Sequence, residues 1–547
     1  MYNANQDPVG EFNRASTKHS RDPRKASRSG RHRRTKYPWT FATQFSARLM
    51  RQGRKNGKSD PLRGVFSASP TLVIFPFFLR AAMTNPEKLD NTRNADSASE
   101  QTAQDGDGVP PLAHPPFKDS EPPFSLHFFD KSPAGGALRA VYLKTMFGGS
   151  LALSIVIFAV FSIYWGALWK TPLHTLPGWI VDFDGGSVGQ GVVQAFSAIN
   201  PGTGGISWSV VPASEFPGGI EQLEDAILRE KTWYGLAINV GASSNFTAAI
   251  SSANAAYNSS TAITFIGSEA RSENIFRQHI RIVTTQLDMI AAQFALQVAK
   301  NISSSLPAAN LATLLSTAPQ VVTAPLGYTV ANLRPFDIPV ASAVTFVGLI
   351  YLLILSFFVV MVSSGARAAS GMDTRLTLGS LISVRLLSSV LAYFFISLFY
   401  TLLSRAFQLP FDRRFGSAGL VIFWMLNWIG MLACGLALEA MITLLTVRFV
   451  PFFLIIWIIS NVSVCIYPIP VLPHVFRYGY GFPFYNISRA VRTIVFRTKD
   501  DVGMNFGILL AWVAVSCITL PIFQWVVRRG QRRAAAAGAG GGAGERA

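Results

Sequence analysis

Thr145–Gly186, TMFGGSLALSIVIFAVFSIYWGALWKTPLHTLPGWIVDFDGG, decides how the rest of the chain is read. Met146–Leu168 is an uncharged apolar run of about the length a helix needs to cross ~30 Å of hydrocarbon. Tyr164, Trp165 and Trp169 close it as an aromatic belt, and Lys170 stands at the water boundary. Arg139 and Lys144 precede it, so the positive-inside bias puts the N-terminus in the cytosol and everything after Trp169 on the far side. WIVDFD then reads as a strand and GGSVG as the turn leaving it.

The composition agrees with that start. Half of the 547 residues are hydrophobic and only 14% are charged, with a mean hydropathy of +0.31. This is too apolar for an ordinary soluble protein. A net charge of +18 suggests nucleic acid, but residues 1–82 hold 17 Lys/Arg against 4 Asp/Glu and account for roughly +13 of it. The charge is therefore local, and no nucleic-acid partner is expected. Cys434, Cys465 and Cys517 all lie in apolar runs, so no disulfide framework holds the polar region.

Residues 1–140 read as a disordered cytosolic region, first basic and then Pro-rich (VPPLAHPPF, SEPPF). SPTLVIFPFFL (Ser69–Leu79) is too short to span and is broken by Pro76. The basic part could bind anionic headgroups. Alternatively Met83, opening MTNPEKLDNTRN, is the natural start and residues 1–82 are an over-extended gene model. Residues 141–170 carry the first span. Residues 171–338 alternate strand and helix patterns: WIVDFD, VGQGVVQAFSAI, GISWSVVP, GIEQLEDAILRE, WYGLAINV and FTAAISSANAAY. That alternation predicts an α/β extracytoplasmic domain. A long helix over Glu273–Ile302 returns toward the membrane. Sequons at Asn245, Asn258 and Asn301 suit a glycosylated, non-cytosolic face.

Five further apolar segments lie in 339–530: Val340–Val362, Leu378–Leu403, Ala418–Val447, Val450–Tyr467 and Asn505–Val527. The expectation is a six-span helical bundle with the α/β domain inserted between spans one and two, both termini cytosolic, and residues 531–547 a low-complexity cytosolic tail. Arg367 and Arg375, and Arg528, Arg529, Arg532 and Arg533 after the last span, agree with that orientation. Two far-side loops do not: RAFQLPFDRR has three arginines, and Pro468–Gly503 has Arg477, Arg489, Arg492, Arg497 and Lys499. Within the second loop, PFYNISRAVRTIVFR places Tyr485, Ile487, Ala490 and Ile494 near one face and arginines on the other. It reads as an interfacial or re-entrant amphipathic helix.

YWGALW, WIVDFDGGSVGQGV and WYGLAINVGASSNFTAAI, followed by five clustered spans, resemble the fungal nitrosoguanidine-resistance membrane protein family. That family is similar in layout to phage-infection proteins and to membrane subunits of type II ABC exporters. The resemblance covers residues 140–530 and implies a plasma-membrane protein that exports toxic small molecules or lipids, or confers resistance to them. The alternative is a non-transporting regulator of lipid distribution or of other transporters. No substrate-binding motif comes with it.

The chain has no GxxxxGK[ST] loop, so an ABC-like mechanism needs a separate ATPase; a homo-oligomer is the other partner expected besides the lipid bilayer. HExxH does not occur, and GGSVG (Gly185–Gly189), although it fits GxSxG, reads as the turn after a strand, so no enzyme and no cofactor are expected. Asp182 and Asp184 in VDFDGG could hold a divalent cation with a nucleotide-sugar, as in a transferase, but the favoured reading is a strand ending at a Gly-Gly turn, its acids facing water or capping a helix. His174 and His474 have no second ligand at metal spacing, so no metal site is expected. Glu439 and Arg385, inside predicted spans, are more informative, because charge in hydrocarbon is costly and faces the protein interior. They read as a candidate intramembrane pair that locks helices or lines a proton or substrate path, with snorkelling to the interface as the third reading. Asn427 and Asn461 read as helix-joining polar groups, and Gly430, Gly435 and Ala437 as small packing surfaces.

Overall fold

A computed structural model describes residues 124–541, with side chains to 535. The basic stretch 1–82 with its Ser69–Leu79 patch, the Met83 start, most of the Pro-rich lead-in and residues 542–547 lie outside the described residues. The first span sits in a longer helix, α1 (Pro133–Leu168). Its N-cap is Ser132, whose Oγ accepts the Gly135 N–H at 3.1 Å. Arg139 is tied to the Phe128 and Asp130 carbonyls. Leu151, Ile155 and Phe158 are exposed along α1, whereas Val156, Val160 and Ala167 are buried toward its end. Only the last third of this helix is packed into the protein.

The polar region is a five-stranded sheet: β1 (Leu176–Asp182), β2 (Ile206–Val210), β3 (Tyr234–Ile238), β4 (Ile263–Gly267) and β5 (Tyr328–Asn332). The order is β2-β1-β3-β4-β5, parallel throughout except for the antiparallel β3–β4 pair. The sequence patterns match β1, β2 and β3, whereas β4 and β5 lie outside them. The intervening helices are α2 (Ser187–Ser197), α3 (Ile220–Leu228) and α4 (Ala242–Ser251), followed by α5 (Glu273–Ser305) and α6 (Ala308–Thr317). Both sheet faces are covered, as expected of a mainly parallel sheet. Ile180 and its register partner Leu236 join Phe196, Phe265 and Phe276 on one face, while Val181 and its partner Ala237 join Leu223 and Ile227 on the other.

The remaining long helices are α7 (Ala343–Ser370), α8 (Leu378–Ala406), α9 (Gly419–Val462), α10 (Pro483–Phe496) and α11 (Val502–Gly541). Helix α11 carries the chain through most of the stretch read as a low-complexity tail. Among the described residues, five helices are long and apolar enough to cross a membrane, where the sequence suggested six segments. The difference lies in α9, which takes in nearly all of Ala418–Val447 and most of Val450–Tyr467. Thr446 breaks it with φ 64° and ψ 169°, and Pro451 follows. A Cβ on Gly430 would meet the Ile487 side chain at 2.7 Å, and Asn461 Oδ1 accepts the Phe484 N–H at 3.1 Å. On a straight helix Gly430 and Asn461 would be roughly 46 Å apart, yet they meet residues one turn apart on α10. Helix α9 therefore doubles back at Thr446.

Helix α10 departs from the interfacial reading. Phe484, Ile487, Ala490, Val491, Ile494 and Val495 are all buried, so its apolar residues are covered by protein on every side. Ser488 Oγ donates to the Thr345 carbonyl at the start of α7. Its arginines face carboxylates of the sheet domain where headgroups were expected. Helix α10 is a wedge between bundle and domain.

Candidate functional site

Two charged sites stand out, one inside the bundle and one at its junction with the sheet domain. Helix α8 is organised inside out. Its exposed face carries Leu387, Leu391, Phe395 and Phe399, whereas its buried face carries Arg385, Ser389, Tyr393, Ser397, Thr401 and Ser404. The near-constant spacing of four keeps these polar groups on one side of the helix. Most bond to backbone: Thr401 Oγ1 to the Ser397 carbonyl at 2.8 Å, Ser404 Oγ to Tyr400 at 3.1 Å, and Tyr393 Oη to Ser356 on α7 at 3.2 Å. Asn427 Nδ2 reaches Thr401 Oγ1 at 3.4 Å. A Cβ on Gly435 would lie 2.2 Å from Tyr393 Oη, so only glycine lets α9 approach there.

The ridge ends at a charge cluster. Arg385 Nε donates to Glu439 Oε1 at 2.7 Å, its Nη2 to the Glu439 carbonyl and Thr443 Oγ1, both at 2.7 Å, and its Nη1 to Gln524 Oε1 at 2.5 Å. A second cation joins them: Arg367 Nη1 lies 2.9 Å from the same Glu439 oxygen and bonds Ser363 Oγ at 2.7 Å, with its Nε 3.4 Å from Asp373. Glu439 is wholly buried, Arg385 and Arg367 nearly so, and Glu439 Oε2 has no hydrogen-bond partner. The sequence alone places Arg367 among the charges of a connecting loop. It lies one turn beyond the apolar run ending at Val362, close enough for its side chain to fold back into the bundle. The spacing Ser363–Arg367 was the available signal.

At the junction, Arg489 of α10 makes a bidentate contact with Glu230, Nη1 to Oε1 at 2.9 Å and Nη2 to Oε2 at 3.1 Å, and a further bond to Asp501 at 2.7 Å. Arg492 binds Glu273 at 2.6 Å and the Ala270 carbonyl at 2.9 Å. Burial works against the Arg489 charge, but Glu230, Tyr485 and Asp501 outweigh it and raise its pKa. Burial likewise pushes the Glu273 carboxyl up, and Arg492 more than reverses this, holding it below the usual range. Arg413 and Arg414, in the RAFQLPFDRR stretch, pair with Asp337 and Asp500 at 2.9 and 3.2 Å. Four of the arginines that break the positive-inside pattern, Arg413, Arg414, Arg489 and Arg492, are thus paired with acids.

A cavity of about 390 Å³ opens beside the Arg489–Glu230 contact, lined by the sheet domain, α10 and the start of α11. Arg271 borders it with its guanidinium carbon 3.5 Å from the Trp233 ring centre and its Nη1 donating to the Thr232 carbonyl at 2.9 Å. Burial lowers the Arg271 pKa to about 10, with Glu230 opposing that and Arg489 adding to it.

The remaining sequence-selected residues fall outside both sites. Asp182 Oδ1 accepts the N–H groups of Asp184 and Gly185 at 3.0 Å, and Asp184 accepts from Ser243 N at 2.9 Å and Ser243 Oγ at 2.5 Å. Burial raises the Asp184 pKa, but these bonds win and keep it low. Gly189 sits against Asp182, where a Cβ would come within 2.2 Å of the carboxylate. These acids bind a turn and a neighbouring helix. His174 and His474, treated as isolated in sequence, stack with ring centres 4.9 Å apart. Among the described residues, no group of three or more His, Cys, Asp or Glu could hold a metal ion. Asn245, Asn258 and Asn301 are all exposed on the sheet domain.

Residues 150–518 match the family model described as a protein of unknown function, DUF3533, and the chain belongs to that family. It is also similar to the uncharacterized endoplasmic reticulum membrane protein YJR015W of Saccharomyces cerevisiae. The two are 26% identical over 432 residues, which cover 74% of this chain and 84% of the yeast protein. No solved structure matches the chain.

Proposed function

We propose that this DUF3533 membrane protein is transporter-like and moves amphipathic molecules, toxic compounds or lipids, across the membrane. The observation that carries the reading is the buried polar ridge of α8. From Arg385 to Ser404 it runs roughly 28 Å at 1.5 Å per residue, comparable to the ~30 Å hydrocarbon core. It joins the Arg367–Glu439–Arg385 cluster to the sheet-domain side of the bundle. Polar groups inside a membrane domain usually mark a substrate or ion path. The resemblance to nitrosoguanidine-resistance proteins supplies the toxic-compound part of the reading.

The topology that goes with it has six passes and both termini cytosolic. It is supported by the reversal of α9 at Thr446 and by the arginines after residue 527. The yeast relative's name places that protein in the endoplasmic reticulum, and we adopt that membrane in place of the plasma membrane, with the sheet domain and its sequons lumenal. A separate ATPase or a second copy of the chain is the partner this mechanism would use, and the chain itself is taken not to be an enzyme. A second reading, a non-transporting regulator of lipid distribution, is favoured by the way the ridge hydroxyls bond backbone and pack against Gly435.

Reconstituting the full chain alone into proteoliposomes separates the two. A transporter gives cargo efflux or lipid flipping above empty liposomes, with or without a proton gradient. No movement under either condition favours the regulator.

A further inference from the structure

Helix α11 carries one densely charged face beyond its apolar run. Arg528, Arg529 and Arg532 follow Trp525 at helical spacing, with Arg533 beside them, so all five lie toward one side of the helix. Together with Leu378 at the start of α8 they line a pocket of about 300 Å³. Arg528 ties this face to the α7–α8 connection, its Nη2 donating to the Asp373 and Leu376 carbonyls at 3.0 and 2.8 Å. The Arg529 guanidinium lies 5.2 Å from the Trp525 ring centre. Arg529, Arg532 and Arg533 are exposed. Helix α11 contains no Asp or Glu, and the Asp373 carboxylate faces Arg367. Among the described residues, none of the four arginines is paired with a carboxylate.

Two simpler roles leave this arrangement unexplained. Cations can serve the negative end of their own helix, but α11 continues to Gly541 and has no basic residue in its last turn. Cations can also orient a span, which requires charge but no particular face. Here Arg528 and Arg532, and Arg529 and Arg533, stand four residues apart, where like charges oppose helix formation. The helix nevertheless runs through them. The start of α8 adds to the field, because Leu378 is its first residue and the first N–H groups of a helix carry partial positive charge. Arg413, Arg414, Arg489 and Arg492 are each balanced by an acid of the chain. At this pocket the balancing anion has to come from outside.

Its position selects the source. Ile522, Trp525 and Val526, just before the arginines, are exposed and apolar or aromatic, so the pocket opens where α11 leaves the hydrocarbon and aromatic rings sit at headgroup level. Lipid phosphates are the anions concentrated at that depth, and clustered arginines there attract the most highly charged of them. We infer that this pocket binds a phospholipid whose headgroup bears a phosphomonoester, as in a phosphoinositide. A phosphomonoester brings close to two negative charges and three acceptor oxygens, which suit several guanidinium forks at once. The acyl chains lie along Ile522 and Val526. The inference rests on α11 crossing the membrane and is independent of transport.

The test uses the full chain, purified in detergent, stripped of lipid and examined by native mass spectrometry. Phosphatidylinositol 4-phosphate, phosphatidylinositol, phosphatidylcholine and free inositol 1,4-bisphosphate are added separately and in competition. The first two lipids differ by one phosphomonoester, and the phosphorylated one should be retained about tenfold more strongly, equivalent to 1.4 kcal/mol. Phosphatidylcholine should not compete, and the free bisphosphate should not displace the lipid. Arg532→Gln with Arg533→Gln should abolish the preference, and because both side chains are exposed the fold should survive. Arg529→Gln, also exposed, is the replacement if that protein is not recovered. Arg281→Gln with Lys300→Gln removes the same charge from exposed positions on α5 and should change nothing. Equal retention of the two inositol lipids overturns the inference. So does displacement by the free bisphosphate, which would make this a soluble-anion site. A preference that survives the α11 substitutions also overturns it, and would move lipid selection to the basic residues 1–82.

Discussion

The bundle cluster around Glu439 and the junction cluster around Glu230 use the same pair of groups, guanidinium and carboxylate, in opposite ways. Glu439 takes two arginines on one oxygen and leaves the other bare. Glu230 hydrogen-bonds one arginine through both oxygens, with Arg271 looser at 3.6 Å, and Asp501 supplies Arg489 with a second acceptor. The first cluster is nearly dry and unevenly bonded, whereas the second keeps some contact with water and is more evenly matched. Removing a partner should therefore be costly in the bundle and moderate at the junction.

The largest effect is expected from Glu439→Gln, which strands Arg367 and Arg385 together. Breaking a buried pair costs about 3–5 kcal/mol in soluble proteins, so the amount of folded protein and its melting temperature in detergent should both drop sharply. A simple pair would be rescued by adding Arg385→Gln. With Arg367 on the same carboxylate, rescue should be partial, and only the further change Arg367→Gln should complete it. Full rescue by the double variant would mean that Arg367 escapes to solvent. Normal abundance with lost transport in Glu439→Gln would instead make Glu439 a proton carrier.

Glu230→Gln comes next. Arg489 keeps Asp501, so a loss of about 1–3 kcal/mol is expected. It should appear as faster amide exchange in α3 and the residues after it, with exchange in α8 and α9 unchanged. Equal loosening of the bundle would show that the two clusters are one cooperative unit.

These two regions also differ in how far the sequence reveals them. Glu439 and Arg385 stand out because a charge in an apolar run is improbable unless it is paired, so the physics of burial marks them in one dimension. The junction cluster has no such mark. Glu230, Glu273, Arg489 and Asp501 sit in polar stretches up to 271 residues apart and look solvated until the fold joins them. Helix α10 misled for a related reason: its two-faced pattern fits a lipid surface and a protein sandwich equally well. The double-back in α9 was readable as two apolar segments, but Thr446 carries no breaker signature.

A smaller effect is expected from acid. His279 is wholly buried between Tyr234 Oη at 3.0 Å and the Gly204 carbonyl at 2.9 Å, and burial lowers its pKa despite that carbonyl. A depressed histidine binds its proton more readily when unfolded, so its stabilising share is complete above ~6.5 and declines as pH falls below that value. Glu273, also depressed, contributes a second decline below ~4.3. Melting temperature against pH should therefore fall in two steps, and His279→Gln should remove the upper one. An upper step that survives in that variant would place it on another group.

The α8 ridge carries the proposed function, and Ser397 lies near its middle, wholly buried with its Oγ on the Phe394 carbonyl at 3.0 Å. The decisive measurement is the rate of movement of a fluorescent phospholipid across proteoliposomes holding either the unaltered chain or Ser397→Leu, at matched amounts of folded protein. A transport route along the ridge predicts a fall of tenfold or more in the variant. An unchanged rate would contradict it and leave the ridge as a packing surface.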